Sequence, residues 1–516
     1  MQIILRTAAI LLAATAFARP AAAYYFGSSD LVVSIYGNGD GSGPYTDNEA
    51  SPIVLQEITR TGTVVSTTVL PQSTTSANGV TNYAISGEYG SSSEGTLQRS
   101  VNGQYLTIAG YGVSATAYNN TAGSNSGIGA GTTAAGFGGA TKTCITSGSS
   151  AATCYPLAQT SSTAGTPSSS GVGNATVVPR VVALVGTDGS VDTSTALTGV
   201  FNENNPRSVA TVDGSSFYLS GQGKTSNQND TTQGVFYATK GATTATTIDN
   251  SFDTRTVSLQ NGQLTVSSDT TEGSGVHENI STYGTAGNPP TSSATATILG
   301  NTTKLKSVYQ APAAAALNSL DTNLLNTAAY KAKGLYLSPE NYFYANSTTL
   351  YIADSGNPKG DNNGSGKSTQ GLSDGGLQKW SYNSTTGNWT LEYTLSAGLL
   401  NFVADTTTCG SNQVNCGTTG LIGLAGDVVG DNVFLFATNS TLGDLDQTYL
   451  YSITDSLSAT ALPTSESFSV LETAAPGTLI RGVALAPVPE PASAALLLGA
   501  LVPLVLRRRK ATVQKG

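Results

Sequence analysis

Apolar and polar positions alternate along most of this chain in short runs, and turn residues break the runs at intervals. Six stretches carry the pattern: SSDLVVSIYGNG (28–39), VNGQYLTIAGYG (101–112), VDGSSFYLSGQG (212–223), LQNGQLTVSSDT (259–270), ANSTTLYIADSG (345–356) and VGDNVFLFATNS (429–440). Most open on a turn signal such as Asn-Gly or Asp-Gly, continue as a β-rich run and close on Gly or small polar residues. A turn pair beside such a run predicts a β-hairpin. A further short run precedes several of them: RSVATV (207–212), RTVSLQ (255–260) and LIGLAG (421–426). Another type follows: PIVLQEITRTG (52–62), RVVALVGTDG (180–189), GVFYATKGA (234–242), GLQKWSYNSTTG (376–387) and TYLYSITD (448–455). NWTLEYTL (388–395) and TVVSTTVL (63–70) supply a fourth strand. The repeating unit is four antiparallel strands. The expected class is all-β: a β-propeller of about six four-stranded blades, with irregular spacing leaving room for a seventh.

The two ends of the pattern complement each other. The first copy, 28–70, holds strands two to four with no strand one, and LIRGVALAP (479–487) is a strand one with nothing after it. Joined, they make one blade, which would close the ring and hide the edges of a half-blade. The propeller is thus expected over 24–487. Two insertions interrupt it. Residues 113–175 are rich in Gly, Ser, Thr and Ala and read as a surface loop. Residues 311–333 place Leu317, Leu320 and Leu324 at helical spacing and read as a short helix.

The segments LQRSVNGQYLTIAGYG, RVVALVGTDGSVDTSTAL, GLQKW and LIRGVALAP together resemble a family of bacterial secreted propeller proteins of unassigned function. That resemblance reinforces the fold and implies no activity.

Both termini read as targeting. Residues 1–23 carry Arg6, an apolar run Ala8–Phe17 and the small residues Ala21, Ala22 and Ala23, the pattern of a cleaved secretory signal. At the other end Ala492–Leu506 is apolar, shorter than the roughly 20 residues that span a bilayer comfortably, and interrupted by Pro503. Arg507, Arg508, Arg509 and Lys510 follow, a cluster that would hold the end in the cytoplasm. The order Val488-Pro489-Glu490-Pro491, apolar segment 492–506, basic cluster 507–510 resembles the PEP-CTERM sorting signal, here over 488–510. That signal occurs on exported proteins of Gram-negative bacteria that make extracellular polysaccharide. The resemblance implies recognition by an exosortase, transient membrane insertion through the C-terminal transmembrane helix, and removal of the tail. The expected location is the cell envelope or the extracellular matrix, with exopolysaccharide as a candidate partner.

Composition narrows the function classes. The chain has 516 residues, 11% of them charged, 59 glycines, one histidine and a net charge of −9. No basic stripe exists outside the C-terminus, so nucleic acid is not an expected partner. The four cysteines form two local pairs, Cys144 with Cys154 and Cys409 with Cys416. Export would make each pair a loop-closing disulfide.

Candidate chemistry is sparse. His277, the only histidine, has no nucleophile-elbow motif with it and reads as an ordinary strand or loop residue. Asp354 in LYIADSGN reads as a turn former. NGDGSG (38–43) and GDNNGSG (360–366) are oxygen-rich enough to suggest calcium but lack a full ligand spacing, and plain turns are the better reading. No other cofactor is expected. The sharpest signal is a register. Arg207, Arg255 and Arg481 each stand two residues before a Val in strand one, and a looser alignment puts Glu94, Glu340 and Ile422 at the same point in the other blades. First strands line a propeller's channel, so three guanidiniums would converge there. Guanidinium forks suit carboxylate or phosphate, which makes these residues a candidate anion site. The competing expectation is that Glu94 and Glu340 pair with the arginines and simply close the channel. The expected role is non-enzymatic; the alternative is a secreted propeller-type enzyme acting on polysaccharide or a lactone.

Overall fold

The computed structural model describes residues 26–37, 45, 49–120, 157–163, 177–224, 230–270, 277–299, 338–356, 375–399, 417–441 and 443–488. The signal segment 1–23, the helical insertion 311–333, both oxygen-rich loops and the tail from Pro489 onward lie outside these residues. So do Cys144, Cys154, Cys409 and Cys416. The two expected disulfides, Cys144 with Cys154 and Cys409 with Cys416, are therefore not among the contacts of the described structure. Of the insertion 113–175, the described part includes a short helix, α1 (Ala115–Asn120), and a single 3-10 turn at Leu157–Gln159. Among the described residues no helix is long and apolar enough to cross a membrane.

The chain is all-β with a propeller-like arrangement. It runs through β1 (Leu31–Tyr36), β2 (Ala50–Ile58), β3 (Val64–Val69), a small hairpin of β4 (Thr75–Ala77) and β5 (Val80–Asn82), and β6 (Ser86–Glu88). Next come β7 (Gln98–Arg99), β8 (Tyr105–Tyr111), β9 (Arg180–Gly186) and β10 (Val191–Leu197). Four separate four-stranded antiparallel sheets follow. They are β11 (Pro206–Ala210) to β14 (Thr246–Asp249) by way of β12 (Ser216–Gly221) and β13 (Gly234–Thr239); and β15 (Val257–Gln260) to β18 (Thr297–Ile298) by way of β16 (Gln263–Thr270) and β17 (His277–Tyr283). The third is β19 (Pro339–Tyr344), β20 (Thr349–Asp354), β21 (Gly376–Asn383) and β22 (Asn388–Leu395); the fourth is β23 (Thr418–Val429), β24 (Asn432–Thr441), β25 (Tyr449–Ser456) and β26 (Ser469–Thr473). The last strand is β27 (Leu479–Leu485).

β27 pairs antiparallel with β1, which pairs with β2, which pairs with β3. The segment read as a strand one with nothing after it therefore meets the copy that lacked one. A second run, β7-β8-β9-β10, lies in the same nine-stranded sheet, joined to the first through β6. All six quoted hairpin segments become the second strand of their run. Where the turn is tightest the chemistry is the expected one: Asn261 (φ 51°) and Gly262 (φ 71°) join β15 to β16, and positive φ at both central residues is the requirement of a type I′ turn.

Burial follows position in the sheet. Every residue of β1 is buried, because both its faces meet neighbouring sheets. Leu31, Val33 and Ile35 pack with Ala425, Phe436 and Leu450 on one side. Val32 and Tyr36 pack with Leu106, Ile108 and Val181 on the other. The outer strand β3 is instead open, with Val64, Val65 and Val69 exposed. Corresponding cores join β8–β10 to β11–β13, β12–β14 to β15–β17, β17 to β19–β22, and β20–β22 to β23–β25. At about 25 cal/mol per Å² of apolar surface removed from water, these inter-sheet layers are the main source of stability.

Candidate anion site among the inner strands

Arg207 lies on β11, Arg481 on β27, Glu340 on β19 and Ile422 on β23. Arg255 stands just before β15, and Glu94 just before β7. All six line one polar cavity, together with Ser92, Ser93, Thr96 and Thr256. The register read from the sequence thus brings its six residues to a single place. The cavity is small and partly open, with about 270 Å³ of empty space counted out to solvent.

A belt of hydroxyls fixes the backbone of this site. Ser220 on β12 donates to the carbonyl of Arg255 (2.5 Å), Ser267 on β16 to that of Glu340 (2.9 Å) and Thr438 on β24 to that of Arg481 (2.5 Å). Ser34 on β1 donates to the carbonyl of Gly95 (2.6 Å), beside Glu94. Thr107 on β8 donates to that of Val209 (2.6 Å), two residues beyond Arg207. In each case a second strand reaches the first strand of the next run. Gly482 belongs to the same seam: its amide donates to Ser34 Oγ (2.8 Å), and a Cβ there would meet the Gly95 carbonyl at 2.2 Å.

The ionic partners differ from blade to blade. Arg207 Nη1 donates to Asp253 Oδ2 (2.9 Å) and to the Thr254 carbonyl, and Nη2 to Gln222 Oε1 (2.6 Å), with both charged side chains buried. Arg255 pairs with Glu340 at 3.4 Å and donates to Ser93 Oγ (2.8 Å). Among the described residues Arg481 has no such carboxylate contact. Its Nη2 reaches the Asp444 carbonyl at 3.3 Å, and its Nε and Nη1 are buried with no hydrogen-bond partner. Burial pulls its pKa down, against the pull of Asp444 in the other direction.

The expectation that both glutamates pair with the arginines holds for Glu340 and fails for Glu94. Glu94 accepts from Tyr111 Oη (2.5 Å), Asn205 Nδ2 (2.5 Å), the Glu88 amide (3.0 Å) and, at 3.4 Å, Tyr36 Oη. These are neutral donors. Burial raises the pKa of its carboxyl, and these hydrogen bonds only partly offset that. Asp253, the partner of Arg207, was not legible beforehand, because nothing in a loop aspartate's local sequence says which strand it will face. Arg180 was also missed. It is buried outside this cavity, under Tyr111 at 4.6 Å, and donates to the carbonyls of Val178, Thr160 and Phe201, so it organises loops.

The other candidates resolve simply. His277 opens β17, its backbone opposite Thr270. Asp354 is a buried turn anchor: Oδ1 accepts from the amides of Ser338 and Gly356 (3.0 Å each), and Oδ2 from Gln378 Nε2 (2.6 Å). Val488, the first residue of the tail motif, donates its amide hydrogen to the Gly103 carbonyl at 2.7 Å. Among the described residues no three His, Cys, Asp or Glu side chains gather as a metal site would require.

No protein-family model matches the chain, and no curated protein matches it. Among solved structures it is similar to a polysaccharide lyase of a new family, an ulvan lyase, at 10% identity and a TM-score of 0.28 over 87% of this chain and 86% of that one. It is also similar to a mutant of the Synechocystis apocarotenoid oxygenase, at 10% identity and a TM-score of 0.20 over 83% of this chain and 60% of that one. Likenesses this weak add nothing to the fold seen in the strand pairing itself.

Proposed function

We propose that this chain is an exported scaffold protein of the bacterial cell surface or exopolysaccharide matrix, a closed six-bladed propeller that an exosortase sorts through the tail 488–510. The tail's three-part resemblance supports export. The β27–β1 pairing and the cyclic order of inter-sheet cores support a ring of six. One observation carries the non-enzymatic reading: where the inner strands converge, Arg207 and Arg255 are already matched by Asp253 and Glu340. The site closes the centre of the ring, and contacts with polysaccharide fall to the outer surface.

The test expresses the full chain with a C-terminal epitope in a Gram-negative host, with and without an active exosortase. The expected result is loss of the epitope and release from the membrane only when the exosortase is active. The processed protein is also incubated with acidic and neutral polysaccharides and with lactones. Turnover that disappears in the Arg207→Ala/Arg255→Ala double variant would replace the scaffold with the alternative, a secreted enzyme. Retention of the epitope in both hosts would remove the sorting claim.

A further inference from the structure

We propose that the propeller lies against a zwitterionic phospholipid bilayer through the end opposite its arginine cluster, with Val101, Val212 and Val429 on the lipid surface. This rests on reading 492–506 as a segment that inserts into the membrane, and it says which way the propeller then faces.

The first observation is where the chain leaves the fold. Arg207 and Arg481 stand near the start of β11 and β27, so the far ends of the first strands, with the turns β7–β8, β11–β12 and β23–β24, share the other end of the ring. The exit path is pinned there. The Ala486 amide donates to the Asp30 carbonyl (2.9 Å), Arg99 Nη1 to the Ala486 carbonyl (3.4 Å), and the Val488 amide to the Gly103 carbonyl (2.7 Å). The turn holding Gly103 is laced to the next one: the amides of Val101 and Asn102 donate to the carbonyls of Thr211 (3.1 Å) and Val212 (3.0 Å).

The second observation is what these turns expose. Val101, Val212 and Val429 are 55%, 41% and 58% exposed, at or beside the same turn of three different runs. Each would lose apolar surface to water against a lipid layer.

Length then fixes the distance. Pro489, Glu490 and Pro491 alone separate Val488 from Ala492. At about 3.4 Å per residue the four steps reach at most about 14 Å. Of this, about 6 Å is taken up by the headgroup layer before the hydrocarbon begins. With 492–506 inserted, the turns beside Val488 have no room to stand clear of the bilayer. Charge narrows the lipid. Asp188, Asp213 and Asp431 are exposed on turns at this end, and an anionic surface would repel them.

The experiment takes the exported chain with its tail intact, purified from a host without an exosortase, and adds phosphatidylcholine vesicles. Flotation with the vesicles reports insertion. Val212→Trp is compared with Leu445→Trp, which lies in the exposed loop beside Asp444 at the arginine end, using brominated phosphatidylcholine as quencher. Wild type gives the background of the buried Trp380 and Trp389. The expected result is quenching several-fold greater for Val212→Trp, and weaker quenching when phosphatidylglycerol replaces part of the lipid. Hydrogen exchange on the wild-type chain needs no substitution: vesicles should slow the amides of 101–104 and 211–215 and leave those of 443–447 unchanged. Flotation with equal quenching at the two ends and no slowing overturns the proposal and leaves the sorting reading standing. Stronger quenching of Val212→Trp on anionic vesicles overturns the choice of lipid. A chain that does not float overturns the proposal together with the reading of 492–506 on which it rests.

Discussion

Thr438 donates its hydroxyl hydrogen to the carbonyl of Arg481 at 2.5 Å, across the seam where the last complete sheet meets β27. The same oxygen accepts from the Gly423 amide at 3.0 Å. One side chain thus links β23, β24 and β27 at a point where all three are buried. Thr438→Val keeps the shape and removes both bonds, leaving a buried carbonyl and a buried amide unmet. Each orphaned group costs on the order of 1–3 kcal/mol. Urea unfolding should show a loss of about 2–6 kcal/mol with an unchanged m-value. Thr438→Ser, which keeps the hydroxyl, should recover most of it.

How much of this seam was legible in the sequence depends on the kind of information involved. Strand identity was readable because alternation and turn chemistry are local: Asn261-Gly262 marks its own hairpin, and the Arg-x-Val register places Arg207, Arg255 and Arg481 at one level. Pairing of side chains across sheets was not. Asp253 and Arg207 meet because a loop turns back toward β11, and Tyr111, Asn205 and Glu94 meet from three distant stretches. The hydroxyl belt was present as Ser34, Thr107, Ser220, Ser267 and Thr438, yet in a chain this rich in Ser and Thr those five had no distinguishing mark.

A buried ion pair ties β21 to β25. Lys379 Nζ lies 3.2 Å from Asp455 Oδ2, and both side chains are essentially inaccessible. Asp455 also accepts from Tyr351 Oη (2.6 Å) and Tyr393 Oη (2.7 Å), and Lys379 donates to Tyr393 Oη at 3.0 Å. Removing one partner strands the other in a low-dielectric interior, which costs about 3–5 kcal/mol, whereas removing both together is far cheaper. Lys379→Met alone should therefore lower stability by that amount, and so should Asp455→Leu alone. The double variant should be closer to wild type than either, a coupling that a denaturant double-mutant cycle measures directly.

The same cluster makes stability depend on pH. Glu466 is pushed up to about 7, first by burial and then by the charge of Asp455. Its ordinary value is 4.5. A carboxyl raised in the folded state binds more protons there than in the unfolded chain between those two values. Stability must then fall as pH rises from about 4.5 to about 7, and level off above. Glu472, raised to about 7 by burial alone, acts in the same direction. Tm measured from about pH 4.5 to about pH 8 should show the decline. Glu466→Gln should remove part of it, and Glu466→Gln/Glu472→Gln more, with the variants as stable as wild type at the acid end of that range and more stable at the alkaline end. A slope that is unchanged in the double variant would mean that neither carboxyl is held protonated by the fold. Glu466 would then share no proton with Asp455, and its ionised carboxylate would add a second negative charge beside the Lys379–Asp455 pair.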